Sequence, residues 1–195
     1  GKIEALGFGW EDCAAVNPRL IWATISAFGQ GGDPDWARRP GYDLVLQGWS
    51  GIPSLTGAVD GPPSKVAASI ADVLTGMVTF EAVLAALFVR ERTGRGQRID
   101  TSMLEAQVSA LTWLWSAALN GGGAPGRQGN RHASLAPYGT FQAADGWLNI
   151  ACATDGLFLR LATLLGRVEW GSDPRFSDNP ARVDHVAELE LRFQK

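Results

Sequence analysis

The sequence is poor in the residues that build metal centres and disulfide frameworks. Its 195 residues hold two cysteines, Cys13 and Cys152, and two histidines, His132 and His185. Their scatter matches neither a zinc-ligand spacing nor a set of bridges, so no metal site is expected and a reducing, cytoplasmic setting fits. A dominant charge is also lacking: 17 Lys and Arg stand against 20 Asp and Glu, for a net charge of −3. That balance offers no electrostatic handle for nucleic acid or an anionic membrane. No basic segment followed by an apolar one opens the chain, so no secretory signal is expected. No apolar run reaches the roughly 18 residues that suggest a membrane span, and no internal repeat is visible.

What is present supports a packed core. Apolar residues make up 46% of the chain, and 24 glycines cluster in turns. "LIWATISAF" is β-branched, aromatic and apolar on both faces, which predicts a parallel strand covered by helices on both sides. A short helix is expected before it, ending at Asn17-Pro18, and a Gly- and Pro-rich loop after it. Leu44, Val45 and Trp49 have helical apolar spacing that breaks at Gly51 and Pro53. "VLTGMVTFEAVLAALFVRERTG" predicts a long helix stopping at Gly94. Being apolar nearly all round between Val78 and Val89, it should be central, buried by other elements or by another chain. "QRIDT" reads as a short strand, with Ser102 and Glu105 as the capping box of the next helix. "GGGAPGRQGN" reads as a linker, followed by a hairpin turning at Asp145-Gly146 and by two further helices. The expected division is a larger α/β part, 1–125, and a smaller α+β part, 126–195.

Asp72, in "SIADVLTGM", is the candidate functional residue. It stands where the long helix should begin, and aspartate is a preferred N-cap. The dipole at a helix N-terminus favours an anion, and a carboxylate there can attack an activated acyl group. Ala71 and Gly76 are small enough to let a substrate approach. Capping and catalysis are compatible readings.

Five blocks in order, "RPGYDLVLQGWSGIPSLTG", "DGPPSKVAASIADVLTGM", "RERTGRGQRIDTSMLEA", "APYGTFQAADGWLNIA" and "DPRFSDNPARVDH", resemble the family III CoA-transferases, the group of formyl-CoA and carnitine CoA-transferases. The resemblance implies part of a Rossmann-like large domain, with parallel strands and the catalytic aspartate, plus a smaller α+β domain, in an interlocked homodimer. It implies that Asp72 is the nucleophile, that coenzyme A and acyl-CoA are substrates rather than covalent cofactors, and that the second substrate is a carboxylate acceptor. Tyr42 and Met103 fall where the family contacts CoA. Arg38 and Arg39, in the loop after the strand, are candidates for its phosphates.

The same family contains α-methylacyl-CoA racemases, which use a histidine and an acidic residue beside the aspartate. Here the racemase "GHD" reads "GYD", with Tyr42, and the acid matches Asp155. Tyrosine, with an ordinary pKa of about 10, is a poor base near neutrality. His132 is a further candidate base. Transfer is therefore expected, with racemisation as the alternative and a non-catalytic acyl-CoA-binding module as a third reading. Family members are longer at both ends, so the 195 residues alone are expected to be inactive.

Overall fold

A computed structural model of the chain describes residues 3–193. The chain divides into two compact units, Gly1–Thr56 with Pro63–Pro125, and Gly57–Pro62 with Gly126–Lys195.

The first unit is mixed α/β. Helix α1 (Trp10–Val16) ends at Asn17, held extended by the proline that follows. Strands β1 (Trp22–Ser26) and β2 (Arg98–Ser102) pair in parallel, with Trp22 opposite Arg98 and Ser26 opposite Ser102. The expected cover on both faces of β1 is not seen among the described residues: alternate side chains point outward, and Ile25 is 54% exposed. Between the strands run α2 (Pro34–Ala37), α3 (Asp43–Ser50), α4 (Ile52–Leu55) and α5 (Ile70–Thr93). After β2 come α6 (Met103–Ala110) and α7 (Thr112–Ala117), one expected helix broken at Leu111, whose backbone turns to ψ 21°.

The apolar set that marks α3 in the sequence is not its buried face. Leu46, Gln47 and Ser50 are buried, whereas Leu44, Val45 and Trp49 are exposed. Leu46 packs with Ala27, Ala71 and Met103 into the core of this unit. Trp49 meets Phe28 and Trp36 edge-on instead, with ring centroids 6.1 and 4.8 Å away.

Of the two burials expected for α5, the one by other elements of this chain is small. The helix buries only Ala71, Thr75 and Ala86, and leaves Val73, Met77, Phe80, Leu84 and Phe88 exposed. By length and composition alone, α5 could cross a membrane, with a mean hydropathy of 1.8 over its best window. This corrects the expectation that no apolar run is long enough: Thr75, Gly76, Thr79 and Glu81 lie among the apolar residues without lowering the mean below that of a span. As expected, α5 stops at Gly94.

The next turn depends on a close approach. The Gly96 N–H donates to the Pro18 carbonyl at 2.8 Å. A Cβ at Gly96 would lie 1.7 Å from the Leu20 carbonyl oxygen, so any side chain must push the backbone before β1 out of place. Gly96→Ala is expected to destabilise the chain by about 2–3 kcal/mol, read as a lower urea midpoint. An unchanged midpoint would show that residues 18–20 yield freely.

In the second unit, β3 (Tyr138–Ala143) and β4 (Gly146–Ala151) form an antiparallel hairpin in which Ala143 pairs with Gly146. The two loop residues are therefore Ala144 and Asp145, one position earlier than the expected turn. Both lack the positive φ that a type I′ turn requires. Helices α8 (Asp155–Leu164), α9 (Asn179–Asp184) and α10 (Val186–Phe193) follow. Cys152, Phe158, Ala162, Trp170, Phe176 and Leu189 form the core of this unit, and burial pushes the Cys152 thiol pKa up. The segment 57–62 joins this unit through Arg127, whose guanidinium donates to the carbonyls of Ala58 at 3.1 Å and Gly61 at 2.6 Å.

One ion pair here gives a pH signature. Arg175 donates from Nη2 and Nε to the Asp173 carboxylate at 2.6 and 2.9 Å. These bonds hold the Asp173 pKa down at about 2, from an ordinary 3.8. A carboxyl depressed in the folded state adds stability above its unfolded value, and that stability is lost as pH falls through the folded value. The stability advantage of the native chain over Asp173→Asn is thus expected to be constant above the ordinary 3.8 and to vanish towards about 2. Urea midpoints of the two proteins across that range are the check, and a constant difference would contradict it.

Candidate active site

The C-terminal ends of the two parallel strands organise the site, the place where α/β folds present ligands. Ala27 follows β1 directly, and Met103 follows β2. Together with Leu46 from the first turn of α3 and Ala71 from the first turn of α5, they form one buried cluster. The Leu104 N–H donates to the Ala27 carbonyl at 3.0 Å, and the Glu105 N–H donates to Ser102 Oγ at 3.2 Å, which caps α6. The starts of α3, α5 and α6 therefore gather over the strand ends. Gly41 makes this possible, because a Cβ there would lie 2.3 Å from Leu46 Cδ2 and 2.6 Å from Ala27 Cβ.

Asp72 lies at this junction, but not as a cap. The N-cap of α5 is Ser69, and Asp72 is the third helical residue. Its side chain is exposed, and among the described residues no hydrogen bond or ion pair engages it. The Ala71 N–H beside it donates to Asp43 Oδ1 of α3 at 2.9 Å. Asp43 is thus the residue that satisfies the start of α5, a role expected of Asp72. Tyr42, the residue before Asp43, is 78% exposed at the start of α3. The structure therefore brings Tyr42 and Asp72, distant in sequence, to neighbouring helix starts.

The other expected residues divide. Met103 is only 8% exposed and serves the core, leaving little surface for a ligand. Arg39 lies over the Trp36 ring, 4.1 Å from its centroid. Arg38 is exposed and lines a cavity of about 520 Å³ with Trp22, Thr24, Ile25 and Gln30. Asp155 and His132 belong to the second unit. Asp155 is not free: its Oδ1 accepts from Arg182 Nη2 at 2.6 Å. His132 Nδ1 accepts the Ser134 N–H at 3.2 Å, and its ring lies 5.1 Å from Tyr138. Among the described residues no group of three or more His, Cys, Asp or Glu is placed to hold a metal ion.

Fold and site together define an α/β protein that presents an exposed carboxylate in the first turn of a long helix, above the ends of parallel strands. CoA-transferase family III matches residues 1–195. The chain is similar to the acetyl-CoA:oxalate CoA-transferase of Acetobacter aceti, at 41% identity over all of this chain and 50% of the relative. It is similar to the succinate–glutarate CoA-transferase of Agrobacterium fabrum, at 39% identity over 94% of this chain and 45% of that one. A crystal structure of a CaiB/BaiF family protein from Brucella suis superposes with a TM-score of 0.79 and 40% identity, covering 98% of this chain and 50% of that one. The chain belongs to CoA-transferase family III. It spans about half the length of the curated relatives it matches.

Proposed function

We propose that the protein moves CoA between carboxylic acids, with Asp72 as the nucleophile. The observation that carries this reading is the exposed, unengaged Asp72 carboxylate at the junction of α3 and α5, in a chain of this family. An Asp72 oxygen attacks the thioester carbonyl of an acyl-CoA, the C–S bond breaks, and CoA leaves as thiolate. The thiolate then attacks the Asp72 carbonyl of the mixed anhydride. This frees the donor acid and leaves an aspartyl-CoA thioester. The acceptor carboxylate attacks that thioester, the C–S bond breaks and a second mixed anhydride forms; the released thiolate attacks its acceptor carbonyl, giving the new acyl-CoA and freeing the Asp72 carboxylate. Each intermediate is about as activated as the thioester, and no net proton transfer is needed, so a carboxylate suffices where hydrolysis would need a base.

Small dicarboxylates are the proposed substrate class, in line with the oxalate, succinate and glutarate in the relatives' names. Tyr42 and Arg38 are the proposed CoA contacts, because Tyr42 is exposed at the start of α3 and Arg38 is exposed on a cavity along β1. A homodimer is proposed as well, supported by the exposed apolar side chains of α5. Racemisation draws less support: Tyr42 replaces the histidine base, and Asp155 is tied to Arg182.

The test is covalent trapping. The full-length protein is incubated with an acyl-CoA and quenched with hydroxylamine or borohydride. The peptide carrying Asp72 should then show the hydroxamate or the reduced alcohol. An unmodified Asp72 under conditions that support turnover would overturn the assignment.

A further inference from the structure

Among the described residues no hydrogen bond or ion pair holds the Asp72 carboxylate, so its placement depends on the turn that carries it. Two neighbouring residues on α3 hold that turn from outside the helix. Asp43 Oδ1 accepts the Ala71 N–H at 2.9 Å, and Asp43 Oδ2 accepts Gln47 Nε2 at 2.8 Å. Gln47 is fully buried. Its Oε1 accepts the Val66 N–H at 2.9 Å, and its Nε2 also reaches the carbonyls of Val66 and Ala68 at 3.3 and 3.4 Å. The pair thus grips the chain at residues 66, 68 and 71, the whole approach to Asp72. Beneath it, Leu46 of the same helix packs on Ala71. Residues four apart on a helix share a face, which lets one turn of α3 hold both the entry strand and the first turn of α5.

We infer that Asp43, braced by Gln47, is the positioning residue for the candidate nucleophile, acting through the Ala71 N–H that precedes it. The inference rests on the reading of Asp72 as nucleophile, because only then does the placement of that turn govern a reaction rate. A shift of about 1 Å in an attacking group can cost about 10²-fold in rate. Substrate affinity depends on other contacts and should change little.

The experiment compares Asp43→Ala, Asp43→Asn and Asp72→Ala in the full-length protein, by steady-state CoA transfer and by hydrogen exchange at the Ala71 amide. Asp43→Ala is expected to lower kcat about 10²-fold with KM for acyl-CoA within about threefold, and to speed exchange at Ala71 while the middle of α5 stays protected. Asparagine keeps an oxygen that can accept the Ala71 N–H but turns its amide towards Gln47 Nε2, itself a donor, so Asp43→Asn should restore protection at Ala71 and recover kcat only in part. A native kcat in Asp43→Ala overturns the inference. So does a kcat in Asp43→Asn no better than in Asp43→Ala despite restored protection at Ala71, or a loss carried wholly by KM. If Asp72→Ala keeps its turnover, the proposed function fails instead, and exchange at Ala71 still decides whether Asp43 holds the turn.

Discussion

Asp72→Ala in the full-length protein is expected to reduce CoA transfer by about 10⁴–10⁶-fold, the scale seen when a covalent nucleophile is removed. At about 1.4 kcal/mol per decade this amounts to about 5–8 kcal/mol of transition-state stabilisation. The structural cost should be far smaller. The carboxylate is exposed and no described side chain engages it, so only its interaction with the helix dipole is lost, about 0.3–1 kcal/mol. That gap separates chemistry from folding: a urea midpoint near the native one beside an abolished turnover assigns Asp72 to the reaction. Asp72→Asn should match the alanine variant, since an amide is not nucleophilic. Retention of more than about a tenth of native activity in Asp72→Ala would refute a covalent role.

Most of the fold was legible wherever the signal was local. The apolar β-branched run gave β1, Asn17-Pro18 gave the end of α1, Gly94 gave the end of α5, and Ser102 gave the cap of α6. What was not legible depended on contacts between distant residues. Ser69 and Asp72 are both residue types that cap helices, and only the Asp43 carboxylate, 28 positions away, shows that α5 begins at Ile70 with its start satisfied from another helix. The buried face of α3 was not legible for a related reason. Leu44, Val45 and Trp49 are the more apolar set, yet the buried face is Leu46, Gln47 and Ser50, because the chain at 66–68 supplies polar partners for Gln47. An apolar-spacing rule cannot find a buried polar side chain whose partners lie on another segment. Within the candidate site, sequence alone marked Asp72 and Tyr42 but gave no sign of Asp43, which from its neighbours reads as an ordinary first-turn acid.

Arg182 shows the same limit with a larger expected effect. Arginine ordinarily reads as a surface residue, but this one is fully buried. Its Nε donates to the Ala136 carbonyl at 2.7 Å, its Nη1 to the Phe176 carbonyl at 3.0 Å and its Nη2 to Asp155 at 2.6 Å. The guanidinium also lies over the Phe158 ring, 4.5 Å from the centroid. One side chain thus joins the segment before β3, the start of α8 and the segment before α9. Arg182→Ala would leave two carbonyls without their donor, at about 1–3 kcal/mol each if water cannot reach them, and would open a cavity beside Phe158. The expected loss is about 3–5 kcal/mol, enough to unfold the second unit of a marginally stable protein. Arg182→Lys should recover little, because an ammonium lacks the planar fork that meets three acceptors in different directions. Asp155→Asn should cost less than Arg182→Ala, since both carbonyl bonds remain and the amide oxygen can still accept from Nη2, although the buried guanidinium loses its counter-charge. Urea denaturation of the three variants checks the order. If Asp155→Asn proved as damaging as Arg182→Ala, the ion pair rather than the carbonyl bonds would be what holds this unit together.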